Sequence, residues 1–458
     1  MHNMTRLLDI LDRAEQGPIC DVSEFDMKYV AEGVARAVKK HGIRFDKSRI
    51  IQTDDAMMDR VWEAAVEFFE ECGVYNTSTG RRMLFTRREI EEGLRWAPKE
   101  VLMGEGNDVR RMVTRTMKDP RPPLIVGGAI GVPMREDMHD IIMQSYMQEP
   151  VIDTIAAGTL ETIYGREART RSPMEIVACW EHIDRLLTVA RRVGRPGLCL
   201  GAVSMSWSDI GHLSAISRGG YRPTDRHNIA MVGELKTNYE LMNKVAHSVR
   251  QDGVILGFYN PIFGGLAGGE EGLAVVLTAG FIGLQLIYMA AMQCTCPTHP
   301  FLFNDTAPQI LRAVSAAIGA MTRNSHLMTM VMTSPVGGPG TDTVLYESVA
   351  MATTATVCGA AGLMGVRSAV GVHPNHASGL EARFNGEVGH AAAGLDREQA
   401  EYIVQQAVAR YEPVMNTKPI GKPFWEVYDT LTVKPKPEWL AIYDRVKEEA
   451  ASWGLPIR

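Results

Sequence analysis

Short apolar runs alternate with helix-length amphipathic segments through the middle of the chain. Eight of these runs have the length of buried parallel strands. They cover residues 124–126, 151–155, 198–200, 228–232, 254–258, 301–303, 327–332 and 363–372. Repeated strand–helix alternation of this kind predicts an α/β protein with a (β/α)8 TIM barrel. An open doubly wound sheet is the alternative that the same pattern allows.

The segments on either side of this region have a helical pattern instead. Residues 55–72 form a strongly amphipathic stretch that stops at Gly73, and Thr86-Arg87-Arg88-Glu89 is typical of a capping box at a helix start. We therefore predict an N-terminal helical extension over residues 1–118 and a barrel over residues 119–396. Residues 397–458 are predicted to form a C-terminal helical tail that packs on the barrel.

Charge and composition exclude several classes of partner. The formal net charge is −6 and no Lys/Arg-rich run is present, which argues against nucleic acid. The apolar run over residues 272–292 is the best membrane-span candidate, but it lies between polar segments, so we expect a buried helix and no membrane. Seven scattered cysteines, an odd number, indicate reduced thiols and a cytoplasmic location.

The residues after the predicted strands are the candidates for chemistry, because barrel enzymes work at the carboxyl ends of their strands. These loops are rich in glycine and poor in acids, which suits a wide cavity for a flat ligand or for a cofactor carried by another protein. Gly201 stands at the end of the third run and has no side chain. Asp225 and His227, two residues apart, are candidates for an acid/base pair or for a loop-capping pair.

A cysteine–histidine cluster gives a weaker alternative. The spacing Cys294-x-Cys296-x-x-His299 would allow two thiolates and an imidazole to hold zinc with an open position. No fourth ligand follows at the usual spacing, and Pro297 interrupts the cluster. We therefore expect a turn here and no metal.

Several longer segments resemble the monomethylamine:corrinoid protein methyltransferase family, nearly from end to end. They include Glu71-Cys72-Gly73-Val74-Tyr75, Thr224-Asp225-x-His227, Pro261-Ile262-Phe263-Gly264-Gly265 and Gly379-Leu380-Glu381-Ala382-Arg383. The resemblance implies a (β/α)8 barrel, a homo-oligomer (a hexamer in the family) and a separate corrinoid protein that docks over the barrel mouth. It also implies methyl transfer from an amine to the Co(I) corrinoid that the partner carries, with no cofactor held tightly by this chain.

The resemblance also implies where the catalytic residues of the family would stand. Its pyrrolysine matches Gly201, and its two glutamates, glutamine and tyrosine match Asn228, Phe258, Met332 and Ser334. All five positions differ from the family, while the scaffold segments beside them remain. This pattern predicts a pyrrolysine-lacking homologue with a donor other than monomethylamine.

The predicted donor is a quaternary amine or another preactivated methyl compound, because its leaving group departs without needing a proton. A cation–π wall for such a group would draw on Trp207, Tyr221, Phe258, Tyr259 and Phe303. A methoxylated or thiomethyl donor, with Asp225 or His227 as proton donor, is the alternative.

The predicted site residues fall into two groups. We expect catalytic roles for Asp225, His227 and Asn228, and substrate binding by Gly201, Phe258, Tyr259, Met332, Ser334 and Asn304. Two other functions stay open at this stage. One is a non-catalytic, ligand-binding homologue that keeps the barrel and its docking surface, and the other is a zinc-dependent methyltransferase.

Overall fold

The structure, a computed structural model, describes residues 2–201, 208–217 and 219–458. Seven strands of the described chain form one parallel sheet, which we number in chain order. They are β1 (Leu124–Gly127), β2 (Thr154–Ile155), β3 (Arg226–Met231), β4 (Val254–Tyr259), β5 (Met292–Thr295), β6 (Met328–Thr333) and β7 (Gly362–Gly365). Strands β3 to β7 pair in order, and β7 then pairs with β1, which pairs with β2.

The sheet closes into a barrel through residues 198–201, which we call the closing segment. Parallel bridges join Thr154 to Cys199 and Gly201 to Arg226, so the segment lies between β2 and β3. The amide of Ile155 donates to the Cys199 carbonyl, and the amide of Arg226 donates to the Leu200 carbonyl. The closing segment takes the place of the eighth strand of the barrel. The predicted (β/α)8 fold is therefore confirmed.

Asp225 fastens the closing segment to β3. Its buried carboxylate accepts a hydrogen bond of 2.8 Å from the Leu200 amide. The same carboxylate accepts from the Arg222 amide at 2.8 Å and from the Arg222 guanidinium at 2.8 and 3.0 Å. A charged acceptor with several donors is among the stronger polar contacts in a protein.

The sixth strand is not where the apolar pattern placed it. Residues 301–303 form a turn, in which Phe301 and Phe303 are exposed and Phe303 has a φ of +60° that no strand adopts. The sixth strand of the barrel is β5 instead. The apolar pattern did not predict it, because β5 contains the polar residues Gln293 and Thr295 and directly follows the long apolar run. Strand β3 begins at Arg226, two residues earlier than predicted. The apolar pattern missed this start because the strand opens with a charged residue that faces the barrel interior.

Amphipathic helices surround the barrel. The helices that follow its strands are Glu136–Met147, Pro173–Arg192, Asp209–Ala215, Tyr239–Arg250, Glu270–Tyr288, Pro308–Asn324, Thr343–Val357 and Gly379–Ala392, with a 3-10 turn at Ala369–Gly371. In the described part of the chain, Glu270–Tyr288 alone is long and apolar enough to span a membrane. Of its most apolar 18-residue window, 94% is buried inside the protein, as expected for a core helix.

The N-terminal section packs on the outside of this helical layer. Its helices are His2–Gln16, Val22–Glu24, Glu32–Lys40, Asp55–Cys72 and Arg87–Arg95, with a π-helix at Phe25–Ala31. Helix Asp55–Cys72 ends at Gly73 and contacts helices Glu270–Tyr288 and Pro308–Asn324. The predicted capping box is present, since Thr86 and Glu89 bond reciprocally.

An antiparallel hairpin from the same section caps the amino-terminal end of the barrel. Its strands are Glu100–Met103 and Arg110–Val113, joined by a 3-10 turn at Gly106–Asp108. Met103 and Met112 pack into the barrel interior with the inward methionines of β5, β6 and β7. The amides of Gly104 and Glu105 donate to the carbonyls of Thr224 and Gly197. This end of the barrel is therefore covered by the chain itself.

The C-terminal tail is mainly helical. Its helices are Arg397–Met415, Phe424–Val427 and Pro437–Ser452, and the first of them packs on the barrel helix Thr343–Val357. Short paired strands complete the chain at Val74–Asn76, Arg81–Met83, Pro133–Met134, Thr159–Leu160, Thr162–Ile163, Arg166–Glu167, Lys236–Thr237, Tyr428–Asp429 and Lys434–Pro435. Strand Val74–Asn76 pairs with Lys236–Thr237, which ties the N-terminal section to the barrel. The division at residues 118 and 396 stays a prediction.

Replacing Asp225 with asparagine should loosen barrel closure. The variant Asp225→Asn keeps the shape of the side chain but removes the charge that faces Arg222, so we expect the free energy of unfolding to fall by about 2 kcal/mol. Chemical denaturation followed by circular dichroism measures this. The exposed control Asp184→Asn should stay within about 0.5 kcal/mol of the unchanged protein. Equal stability of the two variants would contradict the clamp.

Candidate functional site

A cavity of about 460 Å³ opens at the carboxyl ends of the barrel strands. This is the end at which catalytic residues of (β/α)8 enzymes lie. The cavity is lined by strand ends and by the loops that follow them: Ile130, Gly131, Asn228, Ala230, Phe258, Asn260, Cys296, Thr298, Phe303, Met332, Arg367, Val370 and Val372. The structure thus brings together Asn228, Phe258 and Met332 of the predicted site.

Alternation along β3 determines what reaches the cavity floor. Successive strand residues face opposite sides, so Arg226, Asn228 and Ala230 all point into the barrel. Asn228 and Ala230 line the cavity, and Arg226 lies one layer deeper. Neither amide atom of Asn228 has a hydrogen-bond partner within the described chain, so the side chain can both donate to and accept from a ligand.

The Arg226 guanidinium fills the space beside Gly201. Arg226 is fully buried, and its Nη2 donates to the Ile155 carbonyl at 2.7 Å. A Cβ on residue 201 would lie 2.5 Å from that same nitrogen. The nitrogens Nε and Nη1 have no oxygen acceptor in the described part of the chain. Nearby Cys199 does not neutralise the guanidinium, because burial raises the pKa of its thiol to about 12.

The structure does not bring Asp225 or His227 to the cavity. Asp225 is held by Arg222 and the closing segment, as described above. His227 points outward from β3, where its ring packs against those of His212 and Tyr221. Its Nε2 lies 3.1 Å from the Arg222 carbonyl, and burial lowers the pKa of the imidazole. The capping interpretation of this pair fits the geometry, and a proton-donor role does not.

Of the aromatic residues expected around the donor, some line the cavity and others do not. Phe258 and Phe303 line the cavity. Tyr259 is buried on the outer face of β4, where its ring meets Gly280 of helix Glu270–Tyr288, and Tyr221 is buried beside His227. Trp207 lies outside the described residues. Among the described residues of this set, the rings of Phe258 and Phe303 are therefore available to a ligand.

Asn304 and Ser334 lie behind the cavity wall. The Nδ2 of Asn304 donates to Thr306 Oγ1 at 2.7 Å. Ser334 Oγ accepts at 3.3 Å from Nη1 of Arg367, which does line the cavity. Ser334 therefore supports a lining residue, whereas Asn304 bonds to the buried Thr306, and neither residue is part of the described lining.

Two buried acids stand behind the same wall. The Asp305 carboxyl accepts from the Ser334 amide at 2.8 Å and from the Cys296 thiol at 3.3 Å. Burial raises the pKa of Asp305 to about 7, and it does the same for Glu347, which accepts from Thr306 and from the amides of Val336 and Gly337. Around neutral pH, a large fraction of each acid is uncharged.

The geometry gives no support to a zinc centre at Cys294, Cys296 and His299. Cys294 faces the barrel interior, Cys296 bonds to Asp305, and the His299 ring stacks on Phe263. Among the residues that the structure describes, no group of three His, Cys, Asp or Glu side chains converges as a metal site would require. The described residues therefore do not favour the zinc-dependent alternative.

Two arginines were missed by reasoning from the sequence. Arg367 follows β7 in a segment that the apolar pattern had extended to residue 372. Arg226 stands in the Thr224-Asp225-x-His227 segment, and placing it inward requires knowing that β3 begins there. Period-two alternation from the inward Asn228 is the signal that would have found it.

A closed parallel barrel with a cavity at its carboxyl end defines the (β/α)8 enzyme class. Comparison with known proteins narrows this class. A family model described as monomethylamine methyltransferase MtmB matches residues 5–455. Monomethylamine methyltransferase MtmB2 of Methanosarcina barkeri is 31% identical over 447 residues, which cover 98% of this chain and 97% of that protein. Monomethylamine methyltransferase MtmB of Methanosarcina mazei is 30% identical over 447 residues, which cover 98% of this chain and 97% of that protein.

Solved structures agree with the sequence comparisons. The crystal structure of the Methanosarcina barkeri monomethylamine methyltransferase has a TM-score of 0.95 and 30% identity, with 98% of each chain covered. A crystal structure of the hydroxylamine MtmB complex matches equally well. The chain belongs to the monomethylamine methyltransferase MtmB family. It is a methyltransferase that acts with a corrinoid protein.

A side chain at residue 201 should compete with Arg226. The backbone of Gly201 does not adopt a positive φ, so Gly201→Ala tests space alone. We expect this substitution to lower the free energy of unfolding by about 2 kcal/mol, because it displaces the guanidinium from the Ile155 carbonyl. In an Arg226→Met background the same substitution should cost less than about 0.5 kcal/mol. Denaturant unfolding of the four proteins measures the coupling, and equal costs in both backgrounds would contradict it.

The raised pKa of Asp305 should make stability depend on pH. Its folded-state pKa of about 7 exceeds the ordinary 3.8, so the folded protein holds a proton that the unfolded chain releases. Stability therefore falls as pH rises between these values, and Asp305→Asn should reduce that slope by up to about 1.4 kcal/mol per pH unit. Urea unfolding between pH 5 and pH 7 measures it, with Asp184→Asn as control. An unchanged slope would mean that Asp305 is charged in the folded protein.

Proposed function

We propose that this protein moves a methyl group from a small methylated donor other than monomethylamine to the Co(I) corrinoid of its partner protein. One observation carries the proposal: none of the described residues that line the cavity is Asp or Glu, and residue 201 has no side chain. Methyl transfer from neutral monomethylamine needs a proton so that the nitrogen leaves as ammonia, and the described lining offers no carboxyl group to deliver that proton. A donor that leaves as a neutral amine or sulfide needs none.

The division of labour follows from the chemistry of the partner's cofactor. The corrinoid supplies a Co(I) nucleophile that accepts the methyl group. Because attack on carbon is in line, this chain is left with holding the donor in one orientation. Phe258 and Met332 give the methylated end an apolar wall, and Asn228 offers hydrogen bonds at the floor. The match of Gly201 to the pyrrolysine of the family is part of this proposal.

The surface around the mouth supports docking of the corrinoid protein. Large apolar side chains stand in solvent there: Ile262, Phe301, Phe303 and Val372 are 47%, 76%, 53% and 56% exposed. They follow three different strands and border one opening, and exposed apolar patches of this kind mark interaction sites. A partner protein seated on the mouth would cover them and bring its cofactor over the cavity.

Two further properties belong to the same proposal. All seven cysteines are free and buried, which supports a reducing, cytoplasmic setting. We also propose that the protein assembles as a homo-oligomer, the hexamer that the family resemblance implies. A non-catalytic homologue that keeps the barrel and the docking surface is the competing function.

Methyl transfer can be measured directly. The protein is incubated with reduced cob(I)alamin, or with its corrinoid protein, and with quaternary amines, sulfonium compounds, methoxylated compounds and monomethylamine. We expect methyl-Co(III) in the visible spectrum with at least one preactivated donor and none with monomethylamine. If no donor gives methyl-Co(III), the non-catalytic homologue is favoured. Methyl transfer from monomethylamine alone would contradict the proposed donor class.

Variants of the lining should then change donor preference. Asn228→Ala and Phe258→Ala alter the floor and wall of the cavity, so we expect each to change the ratio of kcat/KM between two donors by tenfold or more. Cys294→Ala is the matched control, because Cys294 is buried in the barrel interior and does not line the cavity. A larger change in the control than in the lining variants would show that the pocket is elsewhere.

A further inference from the structure

The described lining of the cavity carries a positive charge without a negative one. Of the described residues that line the cavity, Arg367 is the one that carries a charge, and no Asp or Glu accompanies it. The guanidinium has a hydrogen bond of 3.3 Å to Ser334 Oγ but, in the described part of the chain, no carboxylate within ion-pair distance. Charged side chains that are partly removed from water usually have a partner of opposite charge. Arg367 is therefore a candidate to bind an anionic group of a ligand.

The local backbone is built to hold Arg367 where it is. A Cβ on Gly371 would lie 2.3 Å from Arg367 Nε, and a Cβ on Gly131 would lie 3.7 Å from the same atom. Gly371 also has a φ of +68°, which disfavours other residues there. The two glycines give the guanidinium its space and Ser334 gives it a hydrogen bond. The side chain is therefore positioned before any ligand arrives.

The acid behind the wall does not cancel this charge. Asp305 accepts from the Cys296 thiol and the Ser334 amide, and it makes no ion pair with Arg367. Burial raises the pKa of Asp305 and of its neighbour Glu347 to about 7, so neither is fully charged at neutral pH. Burial also raises the pKa of Cys296, which stays a neutral thiol.

A second guanidinium adds to the positive potential from below. Arg226 lies one layer under Asn228, is fully buried and has no ion pair in the described chain. Charges in a low-dielectric interior act over several ångströms, so both arginines raise the potential where a ligand would sit. A donor with only a cationic centre would be repelled from this cavity.

We propose that the methyl donor carries a carboxylate or an equivalent anionic group beside its methylated centre, and that Arg367 binds this group. The inference rests on the proposed function and deepens it, since it names the substrate class for the same cavity. The anion lies against Arg367, and the unpartnered amide of Asn228 contacts the donor at the floor. The methylated end lies against Phe258 and Met332, and a cavity of about 460 Å³ holds a small zwitterion of this kind.

Binding of three matched probes to the full-length protein tests the proposal without any corrinoid. The probes are trimethylglycine, its carbon isostere 3,3-dimethylbutanoate, and choline, which keeps the trimethylammonium group but has no carboxylate. Isothermal titration calorimetry should show binding of both carboxylates, with choline at least tenfold weaker. Because no corrinoid is present, an anionic group of the cofactor cannot account for binding.

Variants assign the effect to Arg367. Arg367→Gln should weaken both carboxylates at least tenfold and leave choline unchanged or bound more tightly, and Arg367→Lys should keep part of the affinity. Arg88→Gln is the control, since the Arg88 side chain is 85% exposed on the N-terminal section. Thermal unfolding verifies that each variant is folded. Unchanged carboxylate affinity in Arg367→Gln, binding of choline as tight as that of trimethylglycine, or no binding by either carboxylate would overturn the proposal.

The outcome separates this inference from the proposed function. If carboxylates bind in an Arg367-dependent way but no donor gives methyl-Co(III), the anion site stands and the proposed methyl transfer is wrong. Methyl transfer from choline-type donors that Arg367→Gln does not slow would keep the transfer and overturn the anion site.

Discussion

A buried guanidinium in the barrel interior is the constraint around which this site is arranged. Arg226 occupies the volume that a side chain on residue 201 would need, so this placement of the arginine requires a glycine there. The constraint also sets the charge of the floor, because a buried cation lies beside residue 201, which has no side chain.

The polar groups of the barrel are divided between its two ends, and the division explains their roles. Asp225, Arg222 and His227 lie toward the amino end of β3, where they hold the closing segment and fill the layer under the helices. Asn228 and Arg367 lie nearer the carboxyl end and line the cavity, where the Asn228 amide has no partner in the described chain and the Arg367 guanidinium bonds only to Ser334 among the hydrogen bonds described. Asp225, with hydrogen bonds at both carboxylate oxygens, holds the barrel together, whereas Asn228 faces the cavity with both amide atoms available to a ligand.

The sequence predicted the barrel because strand–helix alternation is a repeated signal, and seven of the eight strand positions agree with the structure. It failed at β5, where Gln293 and Thr295 interrupt the apolar pattern while the exposed Phe301 and Phe303 imitate a strand. Asn228, Phe258 and Met332 were found through the family resemblance, whose catalytic positions they match, and not from periodicity. Arg226 and Arg367 were missed because inward direction depends on where a strand begins and ends, and boundaries are what periodicity determines least well.

The hairpin over residues 100–113 has a consequence for the order of events. It covers the amino end of the barrel, and Met103 and Met112 fill the interior behind it. A small molecule must then reach the cavity through the mouth, which is the same opening that a corrinoid protein would cover. If the corrinoid protein docks there as proposed, the donor would have to bind before the partner does, and the demethylated product would leave only after the partner dissociates.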